Sequence, residues 1–116
     1  MPFPLASARL PAAALLLGLG LAFSLPTRAA PARAQIVQIR NFAFAPALLT
    51  VAPGTTVTWT NADEDPHTVT ATGKAFHSAA LDTGGHYSFT FTRPGDYAYF
   101  CSLHPHMIGR IVVRPS

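Results

Sequence analysis

The chain has 116 residues, 49% of them hydrophobic, which is enough for one small domain and excludes a multidomain enzyme. Its formal charge of +3 comes from three arginines near the N-terminus, Arg9, Arg28 and Arg33, and the other five cations balance the 5 acidic residues. These charges are scattered and form no basic stripe, so the sequence argues against nucleic acid as a partner.

The N-terminal segment has the order of a secretory signal. Arg9 precedes a long apolar run, and a small-residue triplet of the A-x-A type ends at Ala34. The run is shorter than the ~20 residues that a transmembrane helix needs, which favours a cleaved signal over an anchor. We predict a signal peptide over residues 1–34 and a mature domain over residues 35–116, with an earlier cut after Ala29 left open. The expected product is periplasmic or secreted, monomeric and without stable membrane insertion.

From Gln35 onward, apolar and polar residues alternate with a period of two, which is typical of half-buried β-strands. The apolar positions are rich in β-branched and aromatic residues, so the sequence predicts an all-β domain. The predicted strands are Ile36–Arg40, Leu48–Val51, Thr56–Thr60, His67–Ala71, Tyr87–Thr92, Tyr97–Cys101 and Arg110–Arg114.

Turn dipeptides separate these strands. Pro53-Gly54 and Pro94-Gly95 each combine a proline that presets φ with a glycine that accepts a positive φ, and Gly84-Gly85 marks another break. About seven to eight short strands with such turns predict a β-sandwich, because packing two sheets face to face is how a small domain buries its strand faces.

The segment from Cys101 to Met107 has the pattern C-x2-H-x2-M and follows a predicted strand directly. It delivers a thiolate, the imidazole of His104 and a thioether within one loop. A second imidazole, His67, lies upstream beside a different strand. Two histidines and a cysteine with a weak axial methionine form the ligand set of copper sites that cycle between Cu(I) and Cu(II). The pattern therefore predicts a redox function.

Other interpretations of these residues stay open. The only cysteine cannot form an internal disulfide, but it could be a buried small hydrophobe or a reactive thiol instead of a ligand. Methionine in the fourth place argues against zinc, whose sites use cysteine, histidine and carboxylate. A nucleophilic dyad of Cys101 and His104 would need an orienting third group and a substrate cleft, and the sequence shows neither. Met107 could also fill the core.

Five motifs share their order and spacing with a known family: Asn41-Phe42-Ala43-Phe44, Gly54 to Asn61, Pro66-His67-Thr68-Val69, Pro94-Gly95-Asp96-Tyr97, and Cys101 to Met107 running into Gly109. With them, nearly all of residues 35–116 resembles the cupredoxins, most closely the amicyanin and plastocyanin group. The two-residue gap between His104 and Met107 looks like the short amicyanin loop. The resemblance implies a Greek-key sandwich with one type 1 copper ion at one end, for which the implied ligands are His67, Cys101, His104 and Met107.

The resemblance also implies roles for residues around the site. The family asparagine at the position of Asn61 hydrogen-bonds across to the segment after the cysteine, here Ser102, and a turn asparagine is the alternative. His106 departs from the family pattern, because an aromatic hydrophobe commonly fills its place. We expect His106, like His77 and His86, to be exposed to solvent and not to be a ligand.

These observations favour a soluble blue-copper carrier that passes single electrons between redox partner proteins and catalyses no bond-making. By resemblance, the imidazole edge of His104 reaches the surface through an apolar patch where partners dock. Copper storage or delivery is the alternative, and that function favours exposed, exchangeable methionine or histidine clusters. An enzyme would need a second copper or a substrate domain that this length does not provide.

Overall fold

The structure is a computed structural model that describes residues 33–115, so nearly all of the predicted signal peptide lies outside the described residues. Eight β-strands make up the described part: β1 (Ala34–Arg40), β2 (Ala43–Ala45), β3 (Leu48–Val51), β4 (Thr55–Asn61), β5 (Thr70–Ala71), β6 (His86–Phe91), β7 (Gly95–Cys101) and β8 (His104–Val113). Among these residues there is no helix of the length and apolarity that a membrane crossing requires. The all-β prediction is confirmed.

The strands form two four-stranded sheets with the buried core between them. One sheet has the order β2-β1-β4-β6, and the other has the order β3-β8-β7-β5. Both sheets are mixed, because β1 runs parallel to β4 and β3 runs parallel to β8, whereas the other neighbours are antiparallel. This architecture is the predicted Greek-key sandwich, with a strand count inside the expected range.

The alternation along β4 shows how the period of the sequence builds the core. Every second residue of this strand is buried: Thr55, Val57, Trp59 and Asn61. The fully buried indole of Trp59 packs against Tyr99 and Phe76, with ring centroids 5.4 and 5.7 Å away. Truncating an aromatic side chain in such a setting costs about 3–5 kcal/mol, so this cluster is a main source of the domain's stability.

Two strand predictions were wrong in extent. Of the predicted strand His67–Ala71, only Thr70–Ala71 joins a sheet. The backbone of His67 instead pairs with Leu81 in an isolated bridge, which separates this residue from the sheet ladder. The last strand begins at His104, well before the predicted start at Arg110.

The chain breaks between strands at all three predicted places, but the positive φ expected of the glycines is found at only two of them. Gly54 and Gly84 have φ values of +93° and +82°, as expected for glycines in turns. Gly95 has no positive φ and is the first residue of β7, so the expectation for this glycine was wrong.

Candidate metal centre

Three donor atoms meet where β7 ends and β8 begins. The Sγ of Cys101 lies 3.7 Å from the Nδ1 of His67 and 3.7 Å from the Nδ1 of His104, and all three atoms lie within 4.8 Å of one another. His67 and Cys101 are fully buried, and His104 is partly exposed. Within residues 33–115, no other group of three histidine, cysteine or acidic side chains is placed to hold a metal ion.

A tight hairpin brings Cys101 and His104 together. Cys101 is the last residue of β7, His104 is the first residue of β8, and Ser102 and Leu103 form the turn between them. The two ligand candidates face each other as a cross-strand pair. The expectation that one loop carries the whole pattern is therefore corrected, since Cys101 and His104 lie on paired strand ends and only a two-residue turn separates them.

A bulge in β8 sets the position of Met107. Cys101 pairs with His104 and Phe100 pairs with Ile108, so residues 105–107 have no partner on β7. Such a bulge bends the strand and changes the direction of its side chains. Met107 is 5% exposed and belongs to the same buried cluster as Cys101. Its burial is established, and its role as a ligand stays a prediction.

Asp63 bonds to the other ring nitrogen of His67. The Nε2 of His67 lies 2.9 Å from the Oδ2 of Asp63, and the same carboxylate accepts the backbone N–H groups of Asn41 and Phe42 at 2.7 and 2.8 Å. Burial raises the pKa of the Asp63 carboxyl, but the bonds from Phe42, Asn41 and His67 outweigh burial and leave that pKa below its ordinary value. The sequence prediction gave Asp63 no role. The only feature of the sequence that could have indicated one is the position of this acid four residues before His67.

Thr68 connects the segment of His67 with the turn after Cys101. Its backbone N–H donates to the Sγ of Cys101 at 3.3 Å. Its hydroxyl oxygen accepts the backbone N–H of Ser102 at 2.7 Å and lies 2.8 Å from the Ser102 hydroxyl. An N–H bond to sulfur stabilises the thiolate form, which is the form that binds metal.

Asn61 does not make the bond that the resemblance implied. Its amide nitrogen donates to two backbone carbonyl oxygens, each at 2.9 Å, and its oxygen accepts the backbone N–H of Asp63 at 2.9 Å. The backbone N–H of Ser102 donates to Thr68 instead. The predicted link from Asn61 to Ser102 is therefore wrong, because the Thr68 hydroxyl accepts the Ser102 N–H and the Asn61 amide is bonded to other backbone groups.

The donor set and its spacing suit copper. A thiolate is a soft ligand that favours Cu(I), and imidazole suits both oxidation states. An ion bound at about 2.0–2.3 Å to both a thiolate and an imidazole would leave these two donor atoms roughly 3.5–4 Å apart. The observed Sγ to Nδ1 distances are 3.7 Å and all three donor atoms lie within 4.8 Å of one another, so these residues are placed to share one ion.

Residues 32–114 match a family described as copper binding proteins, plastocyanin/azurin family. The chain belongs to this family of cupredoxins. Copper is therefore its cofactor, and the resemblance to the amicyanin and plastocyanin group is confirmed. Amicyanin from Paracoccus versutus is 35% identical over 89 residues, which cover 72% of this chain and 67% of that protein.

Solved structures agree with this membership. An oxidised amicyanin with a proline-to-alanine substitution is 36% identical with a TM-score of 0.66, over 70% of this chain and 82% of that chain. A purple cupredoxin from Nitrosopumilus maritimus is 31% identical with a TM-score of 0.65, over 68% of this chain and 98% of that chain.

In this cupredoxin, one aromatic ring covers both imidazoles. The ring centroid of Phe42 lies 5.2 Å from that of His67 and 5.1 Å from that of His104, edge-on in both cases. Asn41 and Phe42 both have a φ of 55°, in a region that costs a non-glycine residue about 1–2 kcal/mol. Phe42 is 48% exposed, so it contacts the histidines and also forms part of the surface. The sequence prediction included Phe42 in a family motif but gave it no role.

The other histidines of the cupredoxin domain are exposed. His77, His86 and His106 all lie at the surface, and none of them belongs to the donor group. Their predicted exposure is confirmed.

Proposed function

We propose that this cupredoxin is a carrier that passes single electrons between redox partner proteins. The observation that supports the proposal best is the preformed donor group, in which the Sγ of Cys101 and the Nδ1 atoms of His67 and His104 lie within 4.8 Å of one another. Met107 would be the fourth and weakest ligand of a type 1 copper site held by these residues. Copper bound there supplies a one-electron couple between Cu(I) and Cu(II).

Fixed ligand positions suit repeated electron transfer. Cys101 and His104 lie on paired strands, and His67 is held by a hydrogen bond to Asp63. The N–H of Thr68 bonds to the cysteine sulfur. Groups that are already oriented need not reorganise when the charge of the site changes, so each transfer meets a small barrier.

His104 is the partly exposed member of the donor group and is the proposed route for electrons. Phe42 contacts its ring, Leu103 precedes it and Pro105 follows it, and all three are exposed. This patch carries no charged side chain, and the charges of the proposed mature domain balance. Association with partners should therefore depend on apolar contact and only weakly on ionic strength.

The proposal is tested by loading the purified protein with Cu(II). The complex should be intensely blue through the thiolate of Cys101, lose its colour with ascorbate and regain it with an oxidant over many cycles. Cys101→Ser is the control and should give no blue colour, because a hydroxyl cannot replace the copper–thiolate bond. A colourless wild-type complex or irreversible bleaching would contradict the carrier function. Rapid loss of copper to a chelator would favour storage or delivery instead.

We propose further that the protein works outside the cytoplasmic membrane. The support is the predicted signal peptide over residues 1–34, whose cleavage would leave Gln35 as the first residue. A cut there removes only Ala34 from β1, so the sheet keeps its register. N-terminal sequencing of exported protein should begin at or near Gln35, and a product that begins at Met1 would contradict the prediction.

A further inference from the structure

Asp63 is bonded to two separate segments of the site. Its Oδ1 accepts the backbone N–H of Asn41 at 2.7 Å, and its Oδ2 accepts that of Phe42 at 2.8 Å and lies 2.9 Å from the Nε2 of His67. The side chain is only 13% exposed, so water competes little for these bonds. One carboxylate therefore connects the turn between β1 and β2 with the segment that carries His67.

The first consequence concerns which ring nitrogen of His67 is protonated. A carboxylate accepts hydrogen bonds and cannot donate them, so a neutral imidazole at this place must carry its proton on Nε2. Nδ1 then keeps its lone pair, 3.7 Å from the Sγ of Cys101. Because a metal binds only an unprotonated nitrogen, the carboxylate selects Nδ1 as the donor atom. The bond also fixes the rotation of the ring.

The second consequence concerns Phe42. Asn41 and Phe42 both have a φ of 55°, which is unusual for residues other than glycine. In such a turn, successive N–H groups point toward one place and bind an anion, and here the anion is the Asp63 carboxylate. The turn holds the ring of Phe42 edge-on to His67 and His104. Asp63 therefore supports the ring that covers both imidazoles.

We propose that Asp63 is a positioning residue of the metal centre, whose carboxylate sets the tautomer of His67 and holds Phe42 over both histidines. The expected effect on the reduction potential rests on the proposed carrier function, but the arrangement of His67 does not. For bound copper we expect tighter binding and a lower reduction potential, because the carboxylate makes Nδ1 a stronger donor and its charge favours Cu(II). A purely structural role would support the turn and leave the tautomer of His67 unset.

Nitrogen-15 NMR of the histidines in metal-free protein at neutral pH tests the proposal directly. His67 should be the Nε2–H tautomer, and its Nε2 proton should exchange with water far more slowly than the ring proton of the exposed His106. A His67 protonated on Nδ1 would overturn the proposal, as would an Nε2 proton that exchanges as fast as that of His106. Neither result depends on metal loading.

Three variants extend the test to the copper form. Asp63→Ala removes the charge and both acceptor oxygens, and Asp63→Asn removes the charge and replaces one acceptor oxygen with an NH2 donor. Glu64→Gln is the control, because it removes one charge at an exposed neighbour that makes none of these bonds. In Asp63→Ala the protected Nε2 proton of His67 should be lost, and copper affinity should fall about 10- to 100-fold. Glu64→Gln should retain both. An Asp63→Ala protein that matches Glu64→Gln in proton protection and copper affinity would refute the proposal.

Asp63→Asn keeps the test decisive if Asp63→Ala does not fold. Weaker protection of the His67 proton and lower copper affinity than in Glu64→Gln would support the proposal, and equality with Glu64→Gln would refute it. The carrier function and the positioning role of Asp63 can be refuted independently of each other. A protected Nε2 proton in a protein whose copper does not cycle refutes the carrier function alone, whereas a reversible blue protein with His67 protonated on Nδ1 refutes the role of Asp63 alone.

Discussion

A methyl group added at Gly109 would collide with the ring of Tyr99. The two residues pair across β7 and β8, and a Cβ on Gly109 would overlap the Cζ of Tyr99 and lie 2.5 Å from its hydroxyl oxygen. Non-bonded carbon atoms normally stay about 3.5–4.0 Å apart, so the ring or the strand would have to move. The ring has little room, because it is 1% exposed and packs on Trp59 and Phe44 at centroid distances of 5.4 and 4.7 Å.

We expect Gly109→Ala to lose about 1–3 kcal/mol of unfolding free energy to overpacking, offset by about 0.4–1 kcal/mol from the lower entropy of the unfolded chain. Gly73→Ala is the matched control, because a Cβ there meets no atom within 4 Å and only the entropic gain remains. Each kcal/mol of difference should separate the two melting temperatures by roughly 4–8 °C. Thermal and urea unfolding of the metal-free variants, followed by circular dichroism, measures the difference. Equal melting temperatures would show that Tyr99 does not pack on Gly109 as described.

Three further predictions concern the ligand set, the docking patch and the core. Met107→Leu should keep a blue site but raise the reduction potential, since loss of a weak sulfur donor disfavours Cu(II) more than Cu(I), and an unchanged potential would exclude Met107 as a ligand. Pro105→Glu should slow electron self-exchange measured by NMR, because two like charges would meet in a desolvated patch, whereas Thr92→Glu, exposed at the other end of the sandwich, should not. Equal rates would rule out the His104 face. Burial raises the pKa of Tyr99 to about 12 from 10.0, so its contribution to the free energy of unfolding should be fully present below pH 10. Between pH 10 and 12 this free energy should fall, because the tyrosine ionises first in the unfolded chain. That loss, up to about 1.4 kcal/mol per pH unit, should be smaller in Tyr99→Phe, and identical pH profiles in urea unfolding would contradict it.

The sequence was most informative where the chemistry is local. Cys101 and His104 are separated by a two-residue turn, so their approach follows from the hairpin alone. The alternation of apolar residues similarly predicted the buried face of β4, because strand geometry sets that period. His67 needed the family resemblance, since its distance from Cys101 along the chain gives no geometric constraint. The structure does bring these three donors together.

The surroundings of the donors could not be predicted, because their partners are distant in sequence. Asp63 bonds to Asn41 from 22 residues away, and Thr68 bonds to Cys101 from 33 residues away. Which of several polar side chains meets a given backbone N–H depends on how the sheets pack. The wrong link from Asn61 to Ser102 arose in this way. The family pattern specifies only the type of residue at position 61, whereas the packing of the sheets places the Thr68 hydroxyl where it accepts the Ser102 N–H.

The complete burial of Cys101 also determines how its thiol responds to oxidants. A disulfide between two chains requires their Cα atoms to come within about 4.4–6.8 Å, and a sulfur with no surface cannot approach a second copy that closely. Oxidation to sulfenic or sulfinic acid likewise needs an accessible thiolate. The sandwich therefore lets a chain with one unpaired cysteine avoid crosslinking, and the thiol of the metal-free protein stays available for copper.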